Sequence, residues 1–241
     1  MNWRLAVLLT LFAVPGVIAS SWLALPLLVD PKAIPVPLET IQIVTAAQGV
    51  VFVALATTLG AVLGQKVGLA APALTAMISG GRVFEALRPQ ILPGFVGGAF
   101  GAVTLLGFYT FAPEALAQNK PAIPLAVRVL YGGITEEVLI RWGLMTVLVW
   151  IGWRVFEAGH GKASRAVVWA AITLSALLFG VAHVPSVTSI LTTVSASVVV
   201  YIIAGNAVFG VLAGYLFWRF GLEAAISAHV LAHVLAYAVQ G

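Results

Sequence analysis

Long apolar runs separated by short polar breaks divide this chain from end to end. A helix needs about 20 mostly apolar residues to cross ~30 Å of hydrocarbon. Spans are predicted at Leu5–Leu28, Thr40–Leu63, Ile91–Phe111, Leu125–Gly152, Ala166–His183, Val187–Ala204, Asn206–Phe217 and Leu222–Val239. The first run is uncharged and continues past Ala19-Ser20-Ser21, so it reads as a retained helix rather than a cleaved signal peptide. Val67–Ser79 is apolar but too short to cross, which predicts a re-entrant or interfacial segment. Gly81–Gln90 reads as an amphipathic surface helix leading into the third span. Three prolines in Asp30–Pro37 predict a loop. The pattern is that of an all-α polytopic membrane protein, about eight transmembrane helices in one bundle. Residues 1–121 supply the N-terminal helices, and residues 122–238 form the part that carries the polar motifs.

Composition agrees with the pattern. Charged residues are 8% of the 241, against roughly a quarter in soluble domains, too few to cover a water-exposed surface. The chain has no cysteine, which excludes disulfides, a thiolate nucleophile, iron–sulfur clusters and Cys zinc sites. Its one aspartate, Asp30, lies in a loop, so a paired-aspartate mechanism is excluded as well. The net charge of +4 comes from basic residues in short loops, a membrane-topology pattern rather than a nucleic-acid footprint. With the N-terminus inside, seven basic residues (Arg4, Lys66, Arg82, Arg88, Arg154, Lys162, Arg165) face three outside (Lys32, Lys120, Arg219). This predicts a cytoplasmic N-terminus. Eight Arg against four Lys, with abundant Ala, Val and Gly, suggests the cytoplasmic membrane of a GC-rich bacterium.

Ionisable groups are costly inside apolar spans, so each is a candidate functional residue. They cluster in Thr135–Arg141, Phe179–His183 and His229–His233. Glu137 and Arg141 are four apart on one helical face, acid first, and predict an intrahelical structural ion pair. Glu136 points about 100° away from Glu137 and has no partner on its own helix. It must meet a polar group from elsewhere, and the histidines His183, His229 and His233 are the nearest candidates. A carboxylate among imidazoles can take a proton from water and stabilise an oxyanion. By contrast, Asn206, Gly210 and Gly214, spaced by four, read as a packing face, and Gly94, Gly97, Gly98 and Gly101 as small-xxx-small packing positions.

In this order the motifs Glu136-Glu137-x-x-x-Arg141, Phe179-x-x-x-His183 and His229-x-x-x-His233 resemble the CPBP family. These are the CAAX-protease and bacteriocin-processing, or Abi, intramembrane proteases, with the pattern EExxxR, FxxxH and HxxxN or HxxxD. The segments Phe209–Tyr215 and Arg219–Leu222 also resemble the family's, and the likeness covers about Ala122–Ala238. It implies an eight-helix bundle with a conical cavity, and an activity similar to that of type II CAAX prenyl endopeptidases. Peptide or membrane-protein substrates are implied, with no nucleic acid and no cofactor. Carried over, Glu136 is the base that activates water, His183 its partner and His229 an oxyanion donor, while Phe179 packs the second motif. His233 stands where the family has Asn or Asp and can donate an N–H in that role.

Two other readings are open at this level. His183, His229 and His233 could bind zinc with Glu136 as base, since catalytic zinc uses three protein ligands and an open position. Alternatively the polar cluster could serve a non-catalytic immunity, scaffold or transport protein.

Overall fold

A computed structural model describes residues 2–29, 35–119, 121–189, 191 and 193–240. Asp30 and Lys32 of the predicted loop, and Lys120, lie outside the described residues. No strand occurs among the described residues. Helices run over Trp3–Leu28 (α1), Leu38–Val67 (α2), Pro72–Ser79 (α3), Val83–Thr110 (α4), Glu114–Gln118 (α5), Leu125–Phe156 (α6), Arg165–Thr188 (α7), Ala196–Phe220 (α8) and Leu222–Gln240 (α9).

Seven of these are long and apolar enough to cross a membrane: all but α3 and α5. The all-α polytopic class therefore holds, with a count close to the expected eight. The difference lies at Val187–Ala204 and Asn206–Phe217. Most of their residues belong to one helix, α8, which begins only after Ser195 accepts the Val198 N–H in its hydroxyl (3.3 Å). Asn206 does not break that helix because its amide donates to Ile202 O one turn back (2.8 Å). The short apolar segment predicted at Val67–Ser79 supplies the last residue of α2, a left-handed Gly68 and the short helix α3. The stretch predicted as a surface helix forms the first turns of α4, which continues through Pro89 and Pro93.

The long helix α6 sits against α1, α2, α7 and α9. Thr135 donates its hydroxyl to Ala13 O of α1 (2.7 Å), and Trp142 its indole N–H to Thr57 O of α2 (3.2 Å). Both side chains are fully buried. Without water to satisfy them, such groups must find partners on neighbouring helices, so they fix α6 in rotation as well as position. Through Arg128–Thr135 and Glu137–Met145, α6 adopts π-helical i→i+5 turns. Thr135 and Thr146 follow that spacing, with hydroxyls donating to the carbonyls of Leu130 (3.1 Å) and Arg141 (3.3 Å). Local π-turns of this kind concentrate at functional sites.

On the other side α9 packs along α4 over the predicted small-residue stripe. A methyl group on Gly101 would stand 2.7 Å from the Phe209 ring and 2.8 Å from Ala232. The start of α9 is tied to the N-terminal half by three bonds. Leu222 N–H reaches Ala70 O (3.0 Å), Ala224 N–H reaches Gln90 Oε1 (3.0 Å), and Glu223 Oε1 accepts the Leu74 N–H (2.8 Å). Leu74 lies in the first turn of α3, where helical N–H groups lack internal partners and a carboxylate is favoured by the helix dipole.

Candidate active site

A cavity of about 350 Å³ opens between α4, α6, α7, α8 and α9. Glu136, His183, His229 and His233 all reach its wall. The sequence scattered them over three helices; the bundle gathers them.

Glu136 extends from α6 toward α7, where His183 Nε2 stands 3.7 Å from its Oε1. Both side chains are partly buried, Glu136 more deeply than His183. The 3.7 Å gap exceeds a direct hydrogen bond. His183 is oriented by its other nitrogen: Nδ1 lies 2.9 Å from Phe179 O, and a carbonyl only accepts, so Nδ1 carries the proton. The nitrogen facing Glu136 therefore presents a lone pair when the ring is neutral. The Phe179 ring holds the arrangement from behind. It meets His183 edge-on at 4.6 Å between centroids and His229 at 6.4 Å, and the Arg141 guanidinium lies 4.9 Å from its face.

Glu137 is fully buried and points away from the cavity. Its Oε2 lies 3.3 Å from Arg141 Nε, the pairing predicted from spacing. Its Oε1, however, accepts from His229 Nδ1 at 2.8 Å, a contact that no single-helix pattern could disclose. His229 thus couples to Glu137, whereas the sequence had grouped all three imidazoles around Glu136. Arg141 also donates to Gly210 O (3.2 Å), which links α6 to α8. With Nδ1 committed to Glu137, His229 turns Nε2 outward, and that nitrogen donates only when the ring carries both protons.

His233 stacks on His229, with centroids 4.9 Å apart and planes 20° from parallel. It lies directly over Gly132, where a methyl group would stand 2.7 Å from Nε2. Its Nδ1 is buried without a hydrogen-bond partner. Asn206, taken from the sequence as part of a packing face, also reaches the cavity wall, while Gly210 and Gly214 do pack, against Ala176 and Ile172.

Among the described residues, no group of three or more His, Asp or Glu side chains is arranged to hold a metal ion. Two of the six imidazole nitrogens are committed elsewhere, to Phe179 O and Glu137.

The sequence reading also passed over Arg128. It lies in the fourth position of α6, inside the span, and reaches the cavity wall. The signal was available, because a second cation within that apolar run is as costly as Arg141.

Residues 118–235 match the family model of Rce1-like type II CAAX prenyl endopeptidases. No curated protein and no solved structure matches the chain.

Proposed function

The chain belongs to the CPBP, or CAAX-protease, family of intramembrane proteases through residues 118–235, and from that premise we propose that it hydrolyses a peptide bond with water activated by Glu136. The observation that carries this reading is the 3.7 Å separation of Glu136 Oε1 and His183 Nε2 on the cavity wall. A water about 2.8 Å from both atoms fits beside that gap. Glu136 accepts its proton as the oxygen attacks the scissile carbonyl, His183 holds the water through the Nε2 lone pair, and the proton passes from Glu136 to the leaving nitrogen as the C–N bond breaks. The developing oxyanion is met by His229 Nε2, which Glu137 orients through Nδ1 and which donates when the ring carries both protons. His233, stacked on that ring, offers a second N–H. No metal is assigned a part in this scheme. The reading is supported by an arrangement in which carboxylate and imidazoles pair with one another.

Glu137 acts at one remove. It positions His229 and balances Arg141, so it touches no reacting atom. Beyond the polar cluster the cavity wall is mostly apolar, with Leu105, Phe108, Leu116, Ile123 and Val127, interrupted by Arg128 and Asn206. A hydrophobic peptide segment or a membrane-protein substrate suits it.

The protein is integral to the membrane, and we place its N-terminus in the cytoplasm. With each of the seven long helices crossing once, Arg219 joins the N-terminal side, and the basic count becomes eight against two. Leu28, Ala112, Leu116, Ile123 and Ser186 line the cavity at helix ends or connections on the opposite side. The mouth then faces away from the cytoplasm.

Purified protein with Glu136→Gln and Glu137→Gln introduced separately tests the reading by peptide cleavage. Loss of turnover in Glu136→Gln supports it. Wild-type turnover in both variants overturns it.

A further inference from the structure

A second hollow lies toward the other end of α4 from the active-site cavity and shares no lining residue with it. It is an apolar groove of about 440 Å³ between α4 and α8. Leu92, Val96 and Phe100 wall it on one side, and Leu212, Tyr215 and Phe220 on the other. Gly97 brings the two helices together beside it, since a methyl group there would stand 2.7 Å from Leu216. Four-residue spacing sets Leu92, Val96 and Phe100 in one row along α4, and each is at least half exposed. The row rises about 12 Å, close to the ~15 Å of hydrocarbon in a single leaflet.

One further turn along each helix reaches a cation. Arg88 stands four residues before Leu92, and Arg219 four residues after Tyr215. Both belong to the same end of the groove, because α4 and α8 meet there: a methyl group on Gly221 would stand 3.0 Å from Gln90 Oε1. Both arginines are exposed, and neither makes a hydrogen bond or ion pair with a described residue. The acids at this end are committed elsewhere, Glu85 to Arg82 at 2.7 Å and Glu223 Oε1 to the Leu74 N–H. The Arg219 guanidinium lies 5.5 Å from the centre of the Trp218 ring, which meets Tyr215 edge-on at 6.3 Å. Aromatic rings of this kind mark the level of the lipid headgroups.

We propose that this groove binds one anionic phospholipid, with an acyl chain lying between α4 and α8 and the phosphate held by Arg88 and Arg219. The proposal is independent of the hydrolytic reading above. Each guanidinium offers a planar fork of N–H donors that matches phosphate oxygens. Long basic side chains reach from a helix end to the headgroup level while their stems cover apolar surface. With the N-terminus in the cytoplasm, both arginines lie at the cytoplasmic leaflet, where anionic lipids gather at basic pockets between helices. A zwitterionic lipid fills the apolar groove equally well, but its ammonium group offsets the attraction of its phosphate for the two cations.

Full-length protein in a neutral detergent is titrated with phosphatidylglycerol or with phosphatidylcholine of the same acyl chains, and bound lipids are counted by native mass spectrometry. The first phosphatidylglycerol is expected to bind about tenfold to thirtyfold more tightly than the first phosphatidylcholine, the effect of two basic side chains near one headgroup. Arg88→Gln combined with Arg219→Gln removes that preference by weakening only the anionic lipid, and Lys at both positions restores part of it. Lys66→Gln combined with Lys162→Gln takes the same charge from exposed positions elsewhere and leaves the preference intact. Val96→Trp fills the groove from an exposed position and weakens the first equivalent of both lipids. Equal affinity for the two lipids, or a preference that survives loss of both arginines, overturns the site. An equal loss in the lysine pair assigns the effect to diffuse surface charge and overturns it as well. Tight binding unchanged by Val96→Trp removes the groove from the proposal and sinks it.

Discussion

Glu137 Oε1 accepts the His229 Nδ1 proton at 2.8 Å, while the neighbouring Glu136 faces His183 on a different helix. Adjacent carboxylates thereby divide between two histidines and two tasks. One lies on the cavity wall; the other is sealed from it. The division leads to distinct expectations for the two acids.

Glu136→Gln removes a proton acceptor without uncovering a charge. Turnover should fall by about 10²–10⁴, with a thermal midpoint close to wild type. His183→Ala should fall comparably. Cleavage assays beside thermal unfolding in detergent check both.

Glu137→Gln leaves the Arg141 guanidinium buried with no counter-ion. Breaking a buried pair from one side costs about 3–5 kcal/mol, so this variant should be markedly destabilised as well as slow. A Glu137→Gln protein as stable as wild type would remove the structural role assigned here.

Gly132→Ala places a methyl group 2.7 Å from His233 Nε2. The imidazole must leave its stack on His229. If His233 donates to the oxyanion, kcat falls about tenfold or more with little change in KM. Unchanged kcat removes His233 from the proposed site.

Gly98→Ala is a packing test on the seam between α4 and α9, away from the cavity wall. Its methyl meets Leu231 at 2.7 Å, and overpacking of this kind costs about 1–3 kcal/mol. The thermal midpoint should drop while Glu136-dependent chemistry persists in the folded fraction.

Orientation can be read directly because the chain has no cysteine. Ala115→Cys and Lys162→Cys each introduce one exposed thiol, on opposite sides of the proposed bundle. A membrane-impermeant maleimide added to intact cells should label Cys at 115 and spare Cys at 162. The reverse pattern would invert the assigned topology and turn the cavity mouth toward the cytoplasm.

Much of the architecture is legible in the chain because membrane helices announce themselves by length and hydropathy alone. The motif residues are legible for a related reason: charge inside such a run is too expensive to be incidental. Contacts between helices are not. Spacing pairs Glu137 with Arg141, but only the placement of α9 reveals His229 on the other oxygen. The boundary drawn between Ala204 and Asn206 falls inside one helix, where the Asn206 amide is satisfied by Ile202 O one turn back. Arg128 was visible as a letter, yet its place on the cavity wall became evident only in three dimensions.

The matched segment begins at residue 118, but the helix bearing His229 and His233 is held at its start by Ala70, Leu74 and Gln90. Those three lie upstream of the family region altogether. A truncated protein keeping only the recognisable motifs would carry every reactive group and lose the clamp that sets their register. For this fold, minimal-fragment engineering and motif grafting start from the wrong unit: the motif residues depend on a scaffold that lies outside the motifs.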